Sequence, residues 1–175
     1  MDQVHQTCIE LLSARGYTIK SETEGGDNEF QKIVGDSTTK ELICVFIVPC
    51  PINVKTVETL ISTMHDEGMK TGIVVYYNRI TPYAKNVIES SEDVTLELFS
   101  ERELRFNITK HSYVPKHELV LPSDKDYAYL RDVAGKLPKL LQTDAVARFY
   151  GYCSRDIIRV TRKDGSIAHR TVIAC

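Results

Sequence analysis

No apolar run in this sequence approaches the ~20 residues that a membrane-spanning helix needs. The run Leu42–Val48 is closed by Glu41 before it and Pro49 after it. The start, Met1–His5, has neither the positive charge nor the apolar middle of a secretory signal, so a chain that stays in a reducing compartment is expected. Disulfide chemistry is also thinly provided for. The five cysteines (Cys8, Cys44, Cys50, Cys153 and Cys175) are an odd set without a CxxC pair, which favours free thiols over a disulfide or zinc framework.

Catalytic motifs are missing in the same way. Gly25-Gly26 lies in an acidic stretch that would repel phosphate, and no GxGxxG turn or GK[ST] loop opens a helix. No GxSxG elbow is present. A metal-dependent nuclease wants a carboxylate two residues before a strand lysine, to share a metal and polarise water. Thr38 stands there before Lys40, Asn53 before Lys55 and Gly68 before Lys70, and the other lysines fail too. His111 and His117 have no cysteine nearby and only Glu118 as a carboxylate neighbour, which favours hydrogen-bonded or interface histidines over zinc. Cys153 is close to the cation Arg155, but no base accompanies it. No catalytic residue, cofactor or metal is expected.

What is present reads as alternating helices and strands. Val4, Cys8, Ile9, Leu11 and Leu12 fall at helical spacing over residues 3–15, with Gly16 as the stop. Ser21–Glu29 reads as an acidic surface loop, and Phe30–Val34 as a strand turned at Gly35-Asp36-Ser37. Glu41–Val48 and Thr71–Tyr77 are apolar enough for strands covered on both faces. Asn53 caps a helix with the stripe Val54, Val57, Leu60, Ile61 and Met64. Thr81-Pro82 starts another helix, running to about Glu92, and Val94–Phe99 is a third strand. Ser100 and Glu103 form a capping box for a short helix. The expectation is a partly parallel α/β sheet with helices on its faces.

The segment Asn107–His117 reads as an extended joint, since Ile108 and Thr109 are β-branched and Val114 precedes Pro115. Beyond it, a helix carries Tyr127, Leu130 and Val133, stopped by Gly135. Leu137–Leu140 reads as a bend, and Thr143 as the cap of a short helix ending at Gly151. Asp156–Thr161 and Ser166–Ile173 form a hairpin about Asp164-Gly165, giving a small α+β unit. Charge changes sign across the joint. Residues 1–110 hold 11 Lys/Arg against 17 Asp/Glu, whereas residues 111–175 hold 11 against 7. Such a switch suggests two units with different partners.

Particular strings point further. Asn107-Ile108-Thr109-x-His111, Val114-Pro115-x-His117, Leu137-Pro138 and Asp144-x-Val146-Ala147-Arg148-Phe149-x-Gly151 resemble one family's signature. It is the fifth subunit shared by the eukaryotic nuclear RNA polymerases, whose C-terminal part also stands alone as a subunit of the archaeal polymerase. Arg15-Gly16-Tyr17 and Ile80-Thr81-Pro82-x-Ala84-Lys85 fit as well, so the resemblance spans essentially the whole chain. It departs at Ala145, where the family has proline, and in a shortened final hairpin, which suggests a divergent or virus-encoded member.

The resemblance implies an N-terminal jaw domain, residues 1–106, of nuclease-like fold without an active site. It implies a C-terminal assembly domain, residues 107–175, docked on the largest polymerase subunit. The interface residues so implied are Asn107, Ile108, Thr109, His111, Val114, Pro115, His117, Asp144, Val146 and Arg148, with Arg170 beside them. Downstream double-stranded DNA would pass the loop carrying Arg79, Thr81, Pro82 and Lys85, at a helix N-terminus that favours anions. The implied role is a non-catalytic polymerase subunit in the nucleus, or in a viral factory or virion for a virus-encoded member. A free-standing nuclease-fold enzyme and a transcription regulator outside the polymerase are the alternatives.

Overall fold

The computed structural model describes residues 2–23, 30–37 and 41–174. The chain divides into two compact units, Met1–Phe106 and Asn107–Cys175. The first opens with α1, Asp2–Ala14, whose stripe Val4, Cys8, Leu11 and Leu12 is buried. The chain leaves it through Gly16 at φ +85°, a left-handed position that suits a residue without Cβ. A sheet follows in the order β1 (Tyr17–Thr23), β2 (Gln31–Ser37), β3 (Leu42–Val48), β4 (Thr71–Tyr76) and β5 (Thr95–Ser100). Pairing is antiparallel from β1 to β3 and parallel from β3 to β5. Each parallel step requires a crossover, supplied by α2 (Val54–Asp66) and α3 (Pro82–Ser90).

Pleating sorts the sheet residues between two cores. Val34, Cys44, Phe46, Val48, Val74 and Leu96 pack with Val57, Leu60 and Met64 of α2 and Ala84 and Ile88 of α3. Their neighbours Ile33, Ile43, Val45, Ile47, Ile73, Val75 and Phe99 are equally buried on the opposite face. Leu12 of α1 reaches that face: a Cβ on Gly35 would lie 3.6 Å from Leu12 Cδ1 and 3.0 Å from Tyr17 Cβ. Gly35 is therefore not the turn expected of it. It lies inside β2, paired with Ile43, where the approach of α1 and β1 leaves little room for a side chain.

Two further expectations for this unit change. Residues 21–23 belong to β1 rather than to a loop, paired with Val34, Ile33 and Lys32, while residues 24–29 lie outside the described residues. After β5 the capping contacts do form, with Glu103 Oε2 accepting from Ser100 N and Oγ at 2.8 Å each. The backbone nevertheless makes only turns over residues 101–106, so no helix follows.

The second unit begins with a 3₁₀ turn, Ile108–Lys110, where an extended joint was expected. Asn107 explains the difference, because its Oδ1 accepts from Thr109 N at 2.9 Å and Thr109 Oγ1 at 2.6 Å and so closes the chain locally. Next come β6 (Lys116–Leu119), α4 (Tyr127–Asp132), β7 (Lys139–Leu141), α5 (Ala145–Tyr150), β8 (Ile157–Thr161) and β9 (Ile167–Ile173). The sheet order is β6-β8-β9-β7, with β7 parallel to β9 and the other pairs antiparallel. The expected bend at Leu137–Leu140 is thus partly a strand, recruited by a partner some thirty residues later. Asp144 rather than Thr143 caps α5, its Oδ1 accepting from Val146 N at 2.9 Å, and Gly151 ends it at φ +69°. Ala147, Leu140, Tyr152, Ile158, Val160 and Val172 form one core, and Val120, Leu130 and Ile157 another.

The buried thiols give a test of the first unit's packing. Burial pushes the Cys8 and Cys44 thiols up from 9.0 to about 12. Below pH 9 both are neutral in folded and unfolded chains alike. Between pH 9 and 12 the unfolded chain releases protons that the folded chain keeps, so stability falls as pH rises. Urea melts should weaken across that window, and less steeply in a Cys8→Ala, Cys44→Ala variant. At pH 8 a thiol reagent should modify exposed Cys153 and leave Cys8 and Cys44 intact until the chain unfolds.

Candidate functional site

The second unit gathers most of the candidate interface residues around α5. The 3₁₀ turn at Ile108–Lys110 packs on this helix, Ala145–Tyr150. Asn107, Ile108, Thr109 and Arg148 are half-buried, and Val146 is buried. Asp144 is exposed and engaged as the cap. Cross-strand register places His117 opposite Val160 and Arg170 opposite Ile158, so both share the sheet face that α5 covers. Arg170 Nη1 donates to the Lys139 carbonyl at 3.3 Å, tying β9 to β7.

The turn between these strings has its own order. His111 N donates to Ile108 O at 3.1 Å, Val114 N to His111 O at 3.0 Å, and Tyr113 N to His111 Nδ1 at 3.3 Å. Val114 and Pro115 are half-buried. His117 Nδ1 lies 2.8 Å from the Pro115 carbonyl, a bond that needs its proton on Nδ1. The two histidines are therefore occupied with local backbone, and His111 is exposed whereas His117 is not. No group of three or more His, Cys, Asp or Glu that could hold a metal is found among the described residues. Arg159 lies 3.8 Å from Asp124 on the sheet face opposite α5.

In the first unit the loop before α3 is pinned at its base. Ile52 N donates to Arg79 O at 2.9 Å and Thr81 N to Ile52 O at 3.1 Å. Asn78 Nδ2 donates to Pro49 O at 2.8 Å. Thr81 Oγ1 accepts from Ala84 N at 3.3 Å, with Pro82 at the first helical position. Arg79, Thr81, Pro82 and Lys85 are all exposed, and Lys85 Nζ lies 3.6 Å from Glu89 on the next turn. The result is a rigid, solvent-facing cap with two cations and the exposed ring of Tyr83.

Two features lay beyond the sequence reading. Arg15 makes a bidentate pair with Glu97, both bonds 2.8 Å, joining the end of α1 to β5. The turn at Ser112–Pro115 and the hairpin residues Arg162 and Lys163 enclose a cleft of ≈ 350 Å³. Glycine, cap and charge signals mark single segments and say nothing of such pairings across the chain.

Comparison with known proteins follows this division. The family model "RNA polymerase Rpb5, C-terminal domain" matches residues 106–173. The subunit rpabc1 of DNA-directed RNA polymerases I, II and III from Dictyostelium discoideum is 30% identical over 174 residues, covering 91% of this chain and 88% of that protein. The chain belongs to the RNA polymerase Rpb5 family. Another Rpb5 relative, RPABC1 of Caenorhabditis elegans, is 24% identical over 91% of this chain and 87% of its own. RNA polymerase V subunit 5C of Arabidopsis thaliana is 26% identical over 89% of this chain and 74% of its own. Residues 4–105 match the family "NACHT-associated inactive Restriction Endonuclease 1", so this Rpb5 chain carries a nuclease-like first unit. The Rpb5 C-terminal match begins one residue before Asn107, where the second unit starts.

Proposed function

We propose that this chain is a non-catalytic subunit of a multi-subunit DNA-directed RNA polymerase in the nucleus. In this reading residues 107–175 are the assembly domain that docks on the largest subunit, and residues 1–106 are a jaw that guides downstream DNA. The observation that carries it is the match to named polymerase subunits along nine-tenths of the chain, through both units. A tagged chain expressed in its own cell should co-purify with the largest polymerase subunit in one-to-one amount. A dominant pool free of polymerase would favour a regulator acting elsewhere, and metal-dependent DNA cleavage by the purified chain would favour an enzyme.

Contact with DNA has to be local, because residues 1–110 carry an excess of acidic groups. The rigid cap at Arg79–Lys85 is the place for it. The Lys85–Glu89 pair is exposed and weak, so Lys85 is available to a phosphate. Arg79→Ala with Lys85→Ala should loosen the assembled enzyme's grip on downstream DNA equally for all sequences. The slope of the salt dependence should fall by about 0.9 for each phosphate no longer engaged, about 1.8 for both. An unchanged slope would leave Thr81 and Pro82 as a helix cap only.

A further inference from the structure

The cleft in the second unit is formed where two chain segments run past the end of the sheet. Lys116 pairs with Thr161, so Ser112–Pro115 on one side faces Arg162 and Lys163 on the other. Both walls are fixed by backbone bonds: Val114 N to His111 O at 3.0 Å, and Arg162 N to Ser166 O at 2.9 Å with Gly165 N to Arg162 O at 3.0 Å. Its apolar lining comes from Tyr113, Val114 and Pro115. Tyr113 is 89% exposed, its ring 5.6 Å from that of His111. An aromatic so placed fills no core and offers a flat apolar face to whatever enters.

Charge decides what that is. Among the described residues neither Arg162 nor Lys163 is held in an ion pair, although Lys116 nearby is taken by Glu118 at 2.7 Å. Asp164 follows them in the turn, its Oδ1 accepting from Ser166 N at 2.9 Å, and hydrogen bonding to Ser166 holds its carboxyl below the usual range. The turn thus presents two cations and one anion. That balance suits carboxylates better than a dianionic phosphate, and an apolar wall is of little use to a nucleic-acid backbone. The volume, ≈ 350 Å³, is at the small end for a ligand site and suits one large side chain with its flanking backbone.

We propose that this cleft docks an acidic peptide segment, seating one aromatic side chain against Tyr113, Val114 and Pro115 with neighbouring carboxylates on Arg162 and Lys163. The proposal rests on the reading of residues 107–175 as a docking module and names the chemistry of what docks there. Its test uses the full chain without polymerase, so failure leaves the co-purification result standing.

The probe is a fluorescein-labelled pentapeptide of one phenylalanine flanked on each side by two glutamates, followed by fluorescence anisotropy. Saturable binding is expected. Replacing its glutamates by glutamine, or its phenylalanine by alanine, should weaken it about tenfold. Arg162→Gln with Lys163→Gln should weaken the parent peptide by a similar factor, about tenfold. Tyr113→Ala should also weaken binding, and Tyr113→Phe should restore it. All these positions are exposed or at a turn, and unchanged thermal melts would show that the variants fold. Anisotropy that stays flat into the millimolar range would overturn the proposal. Affinity indifferent to these substitutions, or tighter binding of a phosphotyrosine version or a DNA duplex, would do the same.

Discussion

Phe149→Ala should abolish stable folding of residues 107–175 or bring it to the edge. Phe149 sits in α5 with 2% of its surface exposed, its ring edge-on to that of Tyr150 at 5.9 Å between centroids. Truncating a buried phenylalanine costs about 3–5 kcal/mol, since the cavity left behind collapses only in part. A unit of roughly 70 residues has only about 3–10 kcal/mol of stability in total. Hydrogen exchange on the purified variant should show protection lost across β8 and β9. Retention of native protection there would mean that the surrounding chain refills the space.

The second large effect belongs to the Arg15–Glu97 pair. Arg15 follows α1 with a side chain 7% exposed, and Glu97 on β5 is 32% exposed. Removing one partner of a fully buried pair costs about 3–5 kcal/mol. Partial exposure of the carboxylate lowers the figure for Glu97→Ala to about 2–3 kcal/mol, since water can screen what remains. Replacing both residues with methionine should recover most of that loss, because no charge is then left in the interior. Denaturant melts of the single and double variants make the comparison. Equal destabilisation in all of them would point to impaired packing rather than a stranded charge.

Legibility in the sequence follows local signals. Leu42–Val48 and Thr71–Tyr76 stand out because both of their faces are covered, so no polar residue interrupts them. Thr81-Pro82 announces α3, and Asp164-Gly165 announces the final hairpin, through chemistry confined to two residues. The misreadings share another cause. Gly35 and residues 21–23 have turn-forming composition, yet partners on β2, β3 and α1 hold them in the sheet. At Ile108 and Thr109 the β-branched side chains point to extension, and a single side-chain acceptor, Asn107 Oδ1, overrules them. The cleft is illegible because Tyr113 and Arg162 meet only through the pairing of β6 with β8.

The parallel pairing of β7 with β9 sets the order in which the sheets can close during synthesis. The first sheet has all its strands once Ser100 has left the ribosome, and it can close while the rest is being made. The second sheet has no such early stage. β6 waits for β8, and β7 waits for β9, so Leu140 and Leu141 are without a strand partner until Val172 and Ile173 emerge. A ribosome paused between Ser100 and Ile167 therefore holds one finished sheet and one with open edges. In that interval the unpaired edges of β6 and β7 are open to wrong pairing.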